Sequence, residues 1–222
     1  MRYAHLLQPL NQLRLLTRGT PLGLRDLLAR IRPDLDISTL VVEGGAPPPA
    51  FAQLRRYRTD STAYINFALV SPMQIAQKMP VLLDQMAKIA GSWQALAILA
   101  DLPADSELLP CMRRGNFLVW AEQIVFQFKA EEAKDNNRQW QWRFWHSEDL
   151  LSMQTLYRRL VPVQHQAIEP LTRKRMQGLL LHDPGGQLLA YADLDQGQKG
   201  IWVQLFALPE LRDPQALLAI YE

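Results

Sequence analysis

The residues that could carry acid–base, nucleophilic or metal chemistry are few in this sequence and lie far apart. The single cysteine, Cys111, could donate a proton, although a lone cysteine on a short helix is more often a small apolar filler. The histidines have neither the spacing of metal ligands nor a paired nucleophile nearby; they are His5, His146, His165 and His182. We therefore expect no metal site, and the spacing indicates no Ser-His-Asp arrangement.

Aromatic and basic residues are concentrated in one stretch, RQWQWRFWH at 138–146. A free peptide of this kind would suit a membrane interface or stacked nucleic-acid bases. Trp140, Trp142 and Phe144 recur at a period of two, however, which predicts a strand with one buried face. Basic clusters of the size found elsewhere in the chain are more often solvated faces. A nucleic-acid partner is therefore not favoured.

Composition and charge are those of a globular protein without a specialised electrostatic role. The 222 residues are 48% apolar and 21% charged, and 24 basic against 22 acidic residues give a formal charge of +2. Cys111 can form no intramolecular disulfide, the first residues do not resemble a signal peptide, and no apolar run of about 18 residues could span a membrane. We expect a cytoplasmic protein with no membrane partner.

A change in composition divides the chain into two halves. The run KAEEAKDNNRQ at 129–139 is charged, rich in asparagine and free of large aliphatic residues. We predict a first domain at 1–129, a linker at 130–138 and a second domain at 139–222.

The elements that must position any site follow from the periodicity of apolar residues. In the first half they are a helix at 21–31, strands at 38–43, 50–58 and 62–70, a helix at 80–92, a strand at 95–102, a short helix at 105–116, and two strands or one bent strand at 117–128. In the second half they are a strand at 139–146, a helix at 147–162 with Ser147 as its N-cap, strands within 176–183, 184–195 and 199–209, and a closing helix at 213–222. The order strand, helix, three strands, helix occurs in both halves and predicts an α+β fold.

Two segments carry a resemblance to a known family. LLPCMRRGNFLVWAEQIVFQF at 108–128 resembles the segment of the GCN5-related N-acetyltransferases in which a short helix ends at a Gly-Phe pair before the last strands. Asn116 stands where that family commonly has glycine, and asparagine is the next best residue at a left-handed helix end. GLLLHDPGGQLLAYADLDQGQKGIWVQLFALPE at 178–210 resembles the family's second to fourth strands. The resemblance implies a mixed, mostly antiparallel sheet flanked by helices, with a partial second copy.

The family resemblance also implies acetyl-coenzyme A as cofactor. The family splays its sheet between strands four and five to admit the pantetheine, and it binds the pyrophosphate through amides of a Q/R-x-x-G-x-G/A loop. The corresponding residues here are Leu69 and Val70 at the end of the fourth strand, Gln74 at the Q/R position, and Gln77 and Met79 in place of the glycines. Neither half retains an intact phosphate-binding loop.

Catalytic residues of the family have weak counterparts in this sequence. Met112 occupies the place of the tyrosine that commonly protonates the departing thiolate, and Cys111 is next to it. Glu43, at the end of a predicted strand, and Glu169, before the second-half strands, are the candidate bases, although such carboxylates are more often solvated turn residues. Transfer of an acetyl group to a small-molecule or peptide amine is one hypothesis. A non-catalytic relative that binds a ligand or a partner is the alternative.

The second half lacks the strands that would follow its fourth strand in the family. GIWVQLFAL at 200–208 is nearly all apolar, and as a sheet edge it would be prone to aggregate. We expect strands of the first half, a second copy in a homo-oligomer, or residues missing from a fragment or shortened gene to cover it.

Overall fold

The computed structural model describes residues 7–19, 36–44, 48–56, 60–127, 142–169, 171, 178–183, 185–209 and 211. The chain divides into two compact units. The first comprises Met1–Trp120 with Gln198–Gly200, and the second comprises Ala121–Gly197 with Ile201–Glu222. The architecture is α+β, with antiparallel strand pairs and helices in each unit. The helices expected at 21–31 and 213–222 and the linker at 130–138 lie outside the described residues.

The first unit contains a sheet of five strands. They are β1 (Leu7–Pro9), β2 (Ile37–Val42), β3 (Ala50–Arg56), β4 (Thr62–Leu69) and β5 (Ala97–Leu99). β2 and β3 pair antiparallel, as do β3 and β4. The other side of β4 holds two strands in succession, β5 parallel beside Thr62–Tyr64 and β1 antiparallel beside Phe67–Leu69. The strands predicted in the middle of this half are therefore confirmed, whereas β1 was not predicted.

The helix α2 (Ile75–Ser92) packs on this sheet, α3 (Leu109–Arg114) packs against α2, and α1 (Gln12–Arg18) follows β1. Alternate residues of the strands supply the sheet's share of the core, as the period-two pattern requires. The buried core residues of this unit are Leu10, Ala50, Ala52, Leu54, Ala63, Ile65, Ala68, Val70, Ile75, Met79, Leu82, Leu83, Met86, Ala90, Leu108, Cys111 and Met112.

The helix after β4 starts earlier than the sequence pattern predicted. Proline is common in a first turn, which pointed to Pro80 as the start, yet α2 begins at Ile75 and Pro80 lies inside it. Ile75 and Met79 extend the buried stripe of the helix by one turn toward its N-terminus. Burying two such side chains contributes about 1.5–3 kcal/mol each, which offsets the roughly 3 kcal/mol that an interior proline costs.

The end of α3 agrees with the expectation from Asn116. Its backbone is left-handed, with a φ of 63°, and its amide donates to the carbonyl of Arg113. The amide of Phe117 donates to the carbonyl of Met112, which closes the helix end. The strands expected at 117–128 are not formed, because residues 117–127 contribute no strand to either sheet.

The second unit contains an antiparallel sheet in the order β6 (Trp142–Phe144), β7 (Gly178–His182), β8 (Leu188–Gln196) and β9 (Ile201–Ala207). The helices α4 (Leu150–Leu160) and α5 (Val163–Ile168) lie between β6 and β7 in the chain. The core between α4 and the sheet is built from Met153, Leu156, Leu180, Leu188, Tyr191 and Leu208. The three predicted strands after residue 176 are confirmed, and α5 was not predicted.

The start of the helical segment after β6 differs from the prediction. A 3-10 turn at Ser147–Asp149 precedes α4, and its N-cap is His146 rather than Ser147. The His146 amide donates to the Asp149 carboxylate at 2.7 Å. Asp149 reaches back to the cap because it is the third residue of the turn, the place that a capping box requires.

Candidate functional site

The separation of β4 from β5 is the feature of the first unit that could form a binding site. The two strands pair only from Thr62↔Ala97 to Tyr64↔Leu99, after which β4 continues without β5 to Leu69 and pairs there with β1 and β3. Asn66 is an extra residue in β4 opposite the Gln53/Leu54 step of β3. Such a bulge bends the strand and increases its local twist, so β4 turns away from the line of β5. We call the space between Asn66 and Asp101 the β4–β5 gap.

The chain's own N-terminal segment occupies the β4–β5 gap. The amide of Leu10 donates to the carbonyl of Asn66, and the amide of Asp101 donates to the carbonyl of Leu10, each at 3.0 Å. The Leu10 side chain is 1% exposed and belongs to the core. The amide of Gln12 donates to the Asp101 carboxylate at 3.0 Å. Leu10 thus occupies the gap and bridges its two sides through its backbone, and its side chain is buried in the core.

Asp101 anchors this segment although burial opposes its charge. Desolvation raises the pKa of Asp101, and the hydrogen bond from the Gln12 amide acts in the opposite direction. Gln12 is the first residue of α1, where backbone amides lack helical acceptors. The carboxylate supplies one such acceptor, so the start of α1 is fixed to the segment that follows β5.

A buried polar chain crosses three strands beside the gap. The Asn66 side-chain amide donates to Gln53 Oε1 at 2.8 Å, and Gln53 Nε2 donates to Thr39 Oγ1 at 3.1 Å. Asn66 and Gln53 are fully buried. Burying a side-chain amide costs free energy unless it is hydrogen-bonded. This series of hydrogen bonds therefore fixes the register of β2, β3 and β4 where the bulge occurs. The sequence pattern does not predict this network, because polar residues within a strand pattern predict an exposed face.

The residues expected to bind the cofactor do not form a loop. Gln77 and Met79 lie within α2, where Gln77 is exposed and Met79 is fully buried in the core. Val70 is also a core residue, and the backbone of Leu69 pairs with β1 and with β3. Gln74 is buried at the end of a 3-10 turn. Buried apolar contacts of Ile75 and Met79 extend the helix through these positions.

Cys111 lies beside Ile75 at the start of α2 but is poorly suited to proton transfer. Its thiol is buried and donates a long hydrogen bond, 3.8 Å, to the carbonyl of Ile75. Burial raises the pKa of the Cys111 thiol, although the charge of Arg114 and its hydrogen bond oppose this. Met112, the neighbour in the tyrosine position, is also buried in the core. Both residues therefore contribute to packing between α3 and α2.

The two candidate bases lie in different units. Glu43 is exposed just after β2 in the first unit. Glu169 ends α5 in the second unit, where its carbonyl accepts a short hydrogen bond from the hydroxyl of Tyr157. Burial raises the pKa of Tyr157 to about 12. The described contacts join neither carboxylate to Cys111 or to the gap.

The aromatic stretch forms a short strand at the end of the second sheet. Trp142 is partly buried against Leu181 and Ala190 on one face. Phe144 was expected on the same buried face, but 71% of it is exposed, so that expectation is wrong for Phe144. β6 ends at Phe144 and is an edge strand of its sheet, so among the described strands only β7 lies beside it.

Arg143 in this strand forms a bidentate ion pair with Asp149. Its guanidinium donates two hydrogen bonds to Asp149, at 2.8 and 2.6 Å. The hydrogen bonds from Arg143 hold the pKa of Asp149 at about 2, against burial, which acts in the opposite direction. Burial and the charge of Arg143 lower the pKa of His182, while Asp149 and Asp183 oppose that shift. Through its bonds to Asp149, Arg143 stabilises the 3-10 turn that precedes α4.

The Arg143–Asp149 pair gives a prediction for acid stability. Asp149→Asn should lower the free energy of unfolding at neutral pH by about 1 kcal/mol, after allowance for the partial exposure of Arg143. Because the folded pKa of Asp149 is about 2 against an ordinary 3.8, the aspartate's contribution is complete above 3.8 and declines toward 2. Urea unfolding at several pH values should show the difference between the two proteins shrinking in that window.

Asp84→Asn is the matched control for this experiment. Asp84 pairs with Lys88 at 2.7 Å, but both side chains are largely exposed, so its removal should change the free energy of unfolding by less than about 0.5 kcal/mol. Equal losses from both substitutions would contradict a special role for Asp149.

Comparisons with known proteins do not assign the chain to a family. Searches against family models, curated proteins and solved structures find no match. Among the described residues, no group of three His, Cys, Asp or Glu side chains could hold a metal ion. No helix in that part of the chain has the length and apolar character needed to cross a membrane. The function is therefore inferred from the geometry around the β4–β5 gap.

Proposed function

We propose that this chain is a non-catalytic relative of the GCN5-related N-acetyltransferases that acts by binding a partner. The observation that carries this proposal is Leu10, which fills the β4–β5 gap and hydrogen-bonds to both of its sides. In the family this gap admits the pantetheine of acetyl-coenzyme A. The resemblance to the family rests on the sequence segments described above and on the parallel pairing of β4 with β5.

The residues around the gap support the same proposal. Gln77 and Met79 replace the small residues that let backbone amides close around a pyrophosphate, and both lie in a continuous helix. Cys111 is a buried thiol whose pKa is raised by burial, which disfavours the thiolate. The free Cys111 also agrees with the reducing cytoplasm in which we place the protein.

Acetyl transfer from acetyl-coenzyme A to an amine is the second candidate. The bulge at Asn66 and the separation of β4 from β5 favour it, because they leave a place for a ligand once residues 7–12 are displaced. The Oδ1 atom of Asn66 is buried and accepts no hydrogen bond from the described residues. A ligand donor at the gap would satisfy it.

Titration of the purified chain with acetyl-coenzyme A decides between the two candidates. We expect no heat of binding by calorimetry and no rise in melting temperature at millimolar cofactor, because Leu10 fills the gap. ATP serves as a control for non-specific binding of phosphates. Saturable binding at micromolar acetyl-coenzyme A, without binding of ATP, would contradict the non-catalytic proposal.

A negative charge introduced at the start of α2 tests whether any bound acetyl-coenzyme A lies at this helix. Gln77 is exposed there, so Gln77→Glu should leave the fold intact and repel a pyrophosphate. Gln164→Glu, at an exposed position of α5, is the matched control. Loss of binding only in Gln77→Glu would establish the second candidate and its cofactor site.

A further inference from the structure

Residues 117–127, FLVWAEQIVFQ, have the composition of a strand but lie outside both sheets. β-branched and aromatic residues dominate the segment, and it contains no proline. Large apolar side chains are exposed along it: Leu118 by 84%, Val119 by 52%, Ile124 by 82% and Val125 by 50%. Exposed apolar residues in such number mark an interaction surface or an aggregation site.

β9 is the complementary feature in the second unit. It stands at the end of its sheet, and in the described part of the chain only β8 pairs with it. Its sequence IWVQLFA has no charge and no proline, the devices that commonly protect a sheet edge. Ile201 is 60% exposed and Leu205 is 40% exposed. The open edges at β2 and β5 suit this role less well, because β2 contains Ser38 and Thr39 and β5 has only three residues.

We propose that residues 117–127 of one chain add to the open edge of β9 in a second copy of the same chain. Strand addition supplies backbone hydrogen bonds to both elements, and alternate side chains then meet on each face. Leu118 and Ile124 share one face of an extended segment, as Ile201 and Leu205 share one face of β9. A single chain leaves the segment outside both sheets and β9 at a sheet end, so the second copy supplies what each lacks.

Charge and symmetry favour a second copy as the occupant. Glu122 is the only charged residue of the segment, and Lys199, whose side chain is exposed and whose amide donates to the carbonyl of Thr17, directly precedes β9. A register that places Glu122 beside Lys199 would pair opposite charges at the interface. Each copy offers one segment and one edge. Two such contacts can close a twofold dimer without leaving either element open. The proposed dimer does not depend on acetyl-coenzyme A binding, because the contacts of the β4–β5 gap involve neither residues 117–127 nor β9.

The contact between residues 117–127 and β9 of a second copy is tested by measuring the oligomeric state of the native chain and of two matched pairs of variants. Light scattering after size exclusion should give a dimer for the native chain. Leu205→Asp at the β9 edge and Val125→Pro, which removes a backbone donor, should each weaken the dimer at least tenfold. Leu151→Asp, at a 72% exposed leucine of α4, and Val125→Ala, which keeps the donor, should leave it intact. Circular dichroism and thermal unfolding check that each variant folds. A monomeric native chain, or equal effects of variant and control, would overturn the proposal.

Crosslinking between differently tagged chains identifies the partner of the segment. In a Cys111→Ala background, one chain carries Ile124→Cys and the other carries Ile201→Cys. A short bis-maleimide should join the two chains in the mixture. A doubly substituted chain that links only within itself would show that the segment returns to its own β9. That result, like a dimer without the mixed crosslink, would refute exchange between copies.

Discussion

Replacement of Leu10 by alanine is expected to lower the free energy of unfolding of the first unit by about 2–4 kcal/mol. Leu10 is 1% exposed, so the substitution removes buried methyl groups and leaves a cavity between β4 and the segment after β5. The backbone bonds to Asn66 and Asp101 do not involve the side chain and remain available. Denaturant unfolding, with native and variant proteins compared by their midpoints at equal slope, measures the loss.

Leu16→Ala on α1 is the control for the Leu10 experiment. Leu16 is 46% exposed, so its truncation removes less buried area and should cost under about 1 kcal/mol. Similar losses for the two leucines would mean that Leu10 is not the residue that fills the gap. A stable Leu10→Ala protein that gained affinity for acetyl-coenzyme A would show that the side chain is the barrier to the cofactor.

Local patterns in the sequence predicted the middle of each sheet well. β3 and β4 show apolar residues with turn signals at their ends, and β8 and β9 follow a Gly-containing turn. These strands are central or long, and burial on at least one face fixes their pattern. The left-handed backbone of Asn116 was also predictable, because few residues other than glycine adopt it without strain.

β1 and the filled gap could not be predicted, since both depend on contacts between distant parts of the chain. LQP at Leu7–Pro9 has no strand periodicity of its own and is a strand because β4 offers a free edge beside Phe67–Leu69. Leu10 contacts residues that follow it by more than fifty positions. A pattern within a short window contains no information about such a pairing.

The candidate site shows the same limit in its polar residues. Cys111 and Gln74 are candidates by residue type, and both are buried in the structure, Cys111 within the core that α2 and α3 share. The series of side-chain hydrogen bonds from Asn66 through Gln53 to Thr39 crosses three strands, and only the register of the sheet brings these three residues together. Residue type therefore indicated which side chains could take part in chemistry. Their burial and hydrogen bonds, which depend on tertiary contacts, indicate that they stabilise the fold.

Gly178→Ala is expected to destabilise the second unit by about 3 kcal/mol, because the added methyl group would overlap the neighbouring strand. Gly178 begins β7, and a Cβ at this position would stand 2.4 Å from the carbonyl oxygen of Ala192 and 2.5 Å from the ring of Tyr191. The carbonyl is backbone of the neighbouring strand, so it cannot move aside as a flexible side chain would. Relief requires β7 and β8 to separate where Gly178 faces Asp193, which weakens the ladder and the core around Tyr191.

Gly200→Ala provides the comparison, because a Cβ there would meet nothing within 4 Å. Its effect on the free energy of unfolding should stay within about 0.5 kcal/mol, as is usual for surface substitutions. Thermal unfolding and the near-ultraviolet circular dichroism of the tyrosine and tryptophan residues report the two variants side by side. If Gly178→Ala matched Gly200→Ala, β7 and β8 could not approach each other as closely as the register Gly178↔Asp193 requires, and the pairing of the second sheet would have to be revised.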